Sequence, residues 1–146
     1  MTELIPSLKD YPYTVEIATR WEDNDAYGHI NNVVYYSFFD TAVNRFLIEE
    51  GKLDIHQGQV VAYVVSSQCQ YVAPAAYPEI IYVGLRVVKM GRSSVTYGLS
   101  VFAGEDRRRV AHGTFVHVFV DRKTDRAVEI PAALRDTLTT IADTEL

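Results

Sequence analysis

One cysteine, Cys69, stands in 146 residues. An intramolecular disulfide is therefore excluded, and so is any metal centre built on a cysteine cluster. Cys69 itself reads as a small core residue. Basic residues are also scarce, 14 Lys and Arg against 19 Asp and Glu, for a net charge of -5. That balance argues against nucleic acid as a partner, since phosphate binding calls for a basic face. A small phosphorylated ligand would need a local basic exception. No apolar run approaches the roughly 20 residues of a membrane helix. The opening Met1–Pro12 lacks the basic-then-apolar layout of a secretory leader. The expectation is a cytoplasmic protein with no membrane partner. No serine sits in a G-x-S-x-G elbow, which speaks against a serine hydrolase. The few histidines, His29, His56, His112 and His117, show no ligand spacing. His112 and His117 are an odd number apart in a strand-like run and so face opposite ways. No metal site is expected.

What the chain has in quantity is apolar material, 48% of its residues. Its length suits one domain over residues 1–146. Residues 1–12 read as an N-terminal arm, made irregular by Pro6 and Pro12. Residues 14–20 alternate as a strand does. A polar turn, Arg20 to Asn32, then leads into INNVVYYSFFDTAVNRFLIEEG. There Val34, Phe38, Ala42, Phe46 and Leu47 recur at three to four residues. Val33, Tyr35, Phe39, Val43 and Ile48 widen the stripe nearly all round, which predicts a buried helix. Asn31 or Asn32 suits its cap and Gly51 its stop. A loop follows over 52–59. Four β-rich runs come next, at 60–72, 79–89, 93–103 and 110–120. Pro74, Pro78, Gly91 and the Gly104–Asp106 group punctuate them. Residues 131–143 predict a C-terminal helix with Pro131 at its start and Leu134, Leu138 and Ile141 on one face.

The order is strand, long helix, four strands. That is α+β with an antiparallel sheet. One sheet face would leave part of so apolar a helix bare, and the sheet has open edges. A homodimer or homotetramer is expected.

The polar turn resembles that of the hotdog-fold acyl-CoA thioesterases, in particular the 4-hydroxybenzoyl-CoA thioesterase-like family. The matching residues are Arg20–Trp21–Glu22–Asp23–Asn24–Asp25, then Gly28–His29–Ile30–Asn31–Asn32, then Tyr35 and Tyr36. A second match is Lys89–Met90–Gly91–Arg92–Ser93–Ser94–Val95. The resemblance covers Tyr13 to Asp121. It implies a long helix wrapped by the sheet, hydrolysis of an acyl thioester, and coenzyme A as part of the substrate, with no separate cofactor. It implies Asp25 as the catalytic carboxylate and the Asn32 amide as the donor to the thioester carbonyl. Several family members carry an aromatic residue or His at the position of Asn32, so the acyl pocket need not be shared.

The chemistry suits the place. A carboxylate beside a helix N-terminus joins a nucleophile or base to an oxyanion donor within a few residues. An Asp before a helix also serves as a plain turn former, and Asp23 reads that way. Asp40 is either a partnered structural carboxylate or a second acid. His29 would orient water, bind substrate or fix the turn. Gly28 and Tyr35 would line the substrate site, although Tyr35 also fits a helical core stripe. Lys89, Gly91, Arg92, Ser93 and Ser94 form a turn that could meet coenzyme A phosphates. The Arg107–Arg108–Arg109 run reads as a solvated face. Two alternatives stay open: a non-catalytic acyl-CoA-binding hotdog protein, and a hotdog hydratase or dehydratase.

Overall fold

A computed structural model of the chain describes residues 5–143. The alternating runs form five strands: β1 (Tyr13–Ala18), β2 (Val60–Tyr71), β3 (Ile80–Met90), β4 (Ser94–Ala103) and β5 (Arg108–Asp121). All pair antiparallel in one sheet of order β1-β3-β4-β5-β2. The first strand thus lies at one edge and β2 at the other. The inward residues of β3, β4 and β5, such as Leu85, Leu99 and Phe115, meet helix α1 (Val34–Glu49). A single long helix packed on one face of this sheet is the architecture expected of a hotdog fold.

The helix is buried on one face, not nearly all round. Tyr35, Phe38, Phe39, Ala42, Val43, Phe46 and Leu47 face the sheet. Val33, Tyr36 and Ile48 stay exposed in the single chain, and so does Asp40, which holds the Asn44 amide at 3.0 Å. The apolar pattern is wider than one sheet face can cover. Phe39 is wholly buried, so its truncation to Ala would cost about 3–5 kcal/mol. Asn31 is the residue that caps the helix approach. Its Oδ1 accepts from the Val33 amide at 3.1 Å and its carbonyl from Val34 at 3.0 Å. At the other end the left-handed position falls on Lys52, φ 57°, one residue after Gly51.

Of the expected arm, residues 1–4 lie outside the described residues. Residues 8–10 make a short 3₁₀ turn, and Tyr11 is buried on the outer face of the sheet. Its ring sits so close to Gly84 that a Cβ there would stand 2.4 Å from it. The Tyr11 hydroxyl bonds Ser100 Oγ at 2.6 Å. The last helix, α2 (Ala132–Thr139), buries Leu134 and Leu138, with Ile141 just beyond it.

Candidate active site

The polar turn closes on itself before the helix begins. Asn24 and Ile30 form a β-bridge, Asp25 N–H donates to His29 O at 2.9 Å, and Gly28 N–H to Asp25 O at 3.0 Å. Gly28 takes φ +83°, where a side chain would be strained. Two further bonds tie the turn to the frame: Ile30 N–H to Ala75 O at 2.8 Å, and Asn31 N–H to Asp23 O at 2.8 Å. Asp23 is itself buried and held by Arg20, whose Nη2 lies 2.8 Å from Oδ1. It is the turn former that the sequence suggested.

Asp25 is half-buried. Its Oδ1 accepts from the Tyr27 amide at 2.9 Å. No hydrogen bond within the described residues engages Oδ2. The backbone at the helix entry is equally selective. The Asn31 and Val33 amides are both satisfied, by Asp23 O and by Asn31 Oδ1. Between them, the Asn32 N–H has no hydrogen-bond partner among the described residues. Its carbonyl is held instead by the Tyr71 hydroxyl at 2.7 Å. Partial burial, with Cys69 beside it, keeps the Tyr71 phenol well above the ordinary range. It is therefore a donor at neutral pH.

Asp25, Gly28, His29 and Asn32 thus share one short loop. The His29 ring is exposed and makes no hydrogen bond among the described residues; only its carbonyl meets Asp25. Tyr35 turns inward. It is 3% exposed, packs edge-on against Tyr71 at 5.2 Å and Phe38 at 5.6 Å, and burial pushes its phenol up to about 12. In the single chain it is a core residue that shapes the wall behind the loop.

Lys89, Gly91, Arg92, Ser93 and Ser94 are not brought to this loop. They form the β3–β4 turn, while the loop docks near the start of β3 through Ala75. At about 3.3 Å per residue, β3 separates the two groups by on the order of 30 Å. The turn is firmly tied from behind. Arg135 Nη2 donates to Gly91 O at 2.7 Å, and Ile130 N–H to Arg92 O at 2.9 Å.

Two supports escaped the sequence reading. Tyr71 sits at the end of β2, where nothing in a β-rich run distinguishes it. Arg108, read as part of a solvated run, is an internal brace. Its Nη1 meets Glu79 Oε2 at 2.7 Å, its Nη2 meets Glu79 Oε1 at 2.9 Å and Pro74 O at 3.0 Å. That fork holds the segment from which Ala75 grips Ile30. The Arg108 charge and bond keep the Glu79 carboxyl below its usual range. Among the described residues no three or more His, Cys, Asp and Glu side chains are placed to hold a metal ion.

Comparison with known proteins agrees with this architecture. The PA5185 protein of Pseudomonas aeruginosa is 53% identical, with 95% of this chain and 97% of that one covered at a TM-score of 0.90. A Thermus thermophilus thioesterase complexed with coenzyme A and Zn is 27% identical, covers 90% of this chain and 94% of its own, and gives a TM-score of 0.77. A 4-hydroxybenzoyl-CoA thioesterase variant complexed with 4-hydroxybenzoyl-CoA is 19% identical, over 86% of this chain and 97% of its own, at a TM-score of 0.77; at that identity it speaks for the fold alone. No curated protein matches the chain. The profile of the Thioesterase-like superfamily matches residues 19–138, and the chain therefore belongs to that superfamily, as a thioester hydrolase of the hotdog fold.

Proposed function

We propose that this protein hydrolyses an acyl-CoA thioester to the free acid and coenzyme A. The carrying observation is the Asn32 N–H, left without a partner among the described residues between two satisfied amides, in the same loop as the Asp25 carboxylate. Asn32 is exposed, so its N–H is open to a ligand, and a donor that meets a developing oxyanion is worth about 3–4 kcal/mol in the transition state. In this reading the thioester carbonyl accepts from Asn32 N–H. Asp25 Oδ2 then attacks the carbonyl carbon or takes a proton from the water that does. The C–S bond breaks and the thiolate leaves with a proton from water; where Asp25 is the nucleophile, a water then hydrolyses the acyl–Asp25 anhydride, which frees the acid and restores the carboxylate. The Tyr27 amide on Oδ1 fixes the carboxylate's rotation, so that one oxygen is aimed and the other anchored.

Coenzyme A as the carrier rests on the resemblance and on the relative that is a thioesterase complexed with coenzyme A. The turn that would take its phosphates lies far from Asp25 within one chain, and a second copy would supply it. We therefore infer a homodimer or larger assembly with sites between subunits. The hydratase reading loses ground, because the His29 ring makes no hydrogen bond with the Asp25 carboxylate, whose partner among the described residues is the Tyr27 amide.

Asp25→Asn tests the reading. It is nearly isosteric and should leave the fold intact while kcat falls at least about a hundredfold. Near-normal turnover of a variety of acyl-CoA esters by the folded variant would remove Asp25 from the mechanism. A wild-type protein that binds acyl-CoA and hydrolyses none would favour the non-catalytic alternative.

A further inference from the structure

The sheet carries a pocket on the side away from α1. It is about 330 Å³, and its lining includes Arg86, Arg109, His112, Val88, Ser100 and Thr114. Tyr11 closes one end. Nothing in the proposed hydrolysis uses it: Asp25 and Asn32 stand at the entry of the helix, on the sheet's other face.

The two arginines differ in how they are spent. Arg86 Nη1 bonds both oxygens of Asp143, at 3.2 and 3.0 Å. Asp10 also lines an adjoining hollow with Arg86 and Tyr11. The Arg86 charge is thus answered locally. Arg109 forms no ion pair with any carboxylate among the described residues. Its Nε donates to Ser100 Oγ at 3.2 Å, and Ser100, fully buried, bonds the Tyr11 hydroxyl at 2.6 Å. The guanidinium is anchored by one nitrogen, and its two terminal nitrogens make no hydrogen bond among the described residues. A held, planar, unpaired fork is suited to a carboxylate. His112 stands beside it; burial, and then the Arg109 charge, lower its pKa. Val88 and Tyr11 supply apolar wall. In a protein of net charge -5 such a pocket runs against the general field.

We infer that this outer-face pocket binds a small organic carboxylate, a monoanion with a short apolar body, through the terminal nitrogens of Arg109. One negative charge would balance the one unanswered arginine. The size of the pocket, at the low end for small-molecule sites, limits the body.

The test is a titration of the full-length protein with butyrate, and separately with inorganic phosphate, followed by NMR at the histidine rings. His112 should move saturably with butyrate and its pKa should rise. His117, buried among aromatics on the inner side, should not move. His29 reports the catalytic loop. Arg109→Gln should weaken the His112 response at least about tenfold, since hydrogen bonds to a charged group are lost. Val88→Asp, which leaves Arg109 in place and puts a carboxylate in the pocket, should weaken it as well. Four outcomes would overturn the inference. One is no saturable change at His112. Another is a change that survives both variants, and a third is a response at His29 alone. The last is phosphate saturating as readily as butyrate, which would refute the carboxylate.

Discussion

The hydroxyl of Tyr71, on the last residue of β2, donates to the carbonyl of Asn32 at 2.7 Å across 39 residues of sequence. That bond lies on the peptide unit whose N–H, Val33's, is held by Asn31 Oδ1. Both ends of this unit are therefore fixed. The direction of the preceding Asn32 N–H is set without that donor being consumed. Position matters in such a site, because a donor that must reorganise as charge develops loses much of its worth.

Tyr71→Phe should consequently act on the chemical step. The ring keeps its edge contact with Tyr35, so the fold should hold. We expect kcat to fall about tenfold, the effect of about 1.4 kcal/mol, with KM little changed. Steady-state kinetics on a variant with wild-type circular dichroism decides it. An equal loss in kcat and rise in KM would mean that Tyr71 merely supports the wall.

The Glu79–Arg108 brace makes a prediction about pH. Glu79 has a depressed folded pKa, chiefly through the Arg108 bond. A depressed carboxyl stabilises the fold above its unfolded pKa, and the contribution is lost as pH falls through the folded value. Glu79→Gln should lower the melting temperature at pH 7. The difference from wild type should shrink as the pH drops below about 4.3, the ordinary Glu value. The pair is partly exposed, 34% and 29% at the side chains, so the effect should be modest and screened by salt. A melting difference that is constant over the acid range would assign the loss to packing instead.

Much of this architecture was legible. The strand runs came within two residues of their observed ends because β-branched alternation and turn residues agree at each boundary. The polar turn before the helix was legible because Gly28, Asp25 and Asn31 each have a conformational reason to stand in a tight turn there. The breadth of the helix stripe misled. Periodicity counts apolar residues and does not say which of them a single sheet face can reach, so Val33 and Ile48 looked buried. Tyr71 and Arg108 were unreadable for a different cause. Their partners, Asn32 and Glu79, are distant in sequence, and only the β2–β5 pairing and the fold of the Pro74–Glu79 segment bring them together.

The expected assembly rests on what the single chain leaves open. Among the described residues the strand β2 has one neighbour, β5, so one side of a twelve-residue strand has no partner there. Tyr63, Val64 and Val65 on it are 45%, 49% and 59% exposed. Long exposed apolar edges are rare unless something covers them. Light scattering at micromolar concentration should give a dimer or a tetramer. A stable monomer with full activity would refute the shared site.

The β3–β4 turn gives the sharpest test of coenzyme A as carrier. Its backbone is tied by Arg135 and Ile130, while the Lys89 and Arg92 side chains are exposed and make no ion pair among the described residues. Removing both should leave the turn standing. In an acidic protein these are cations without an ion-pair partner among the described residues, at a sheet end that reaches solvent; under the proposed function they would meet the nucleotide part of the substrate. The turn should then contribute to binding alone. Lys89→Ala with Arg92→Ala should raise KM for an acyl-CoA and leave kcat nearly unchanged, the mark of uniform binding removed. Because exposed charges are screened, the wild-type KM should climb with ionic strength and the double variant's should climb less. A truncated thioester such as an N-acetylcysteamine ester has no phosphates and should be indifferent to both changes. If both substrates suffer alike, the turn shapes the fold or the assembly, and the phosphates are held elsewhere.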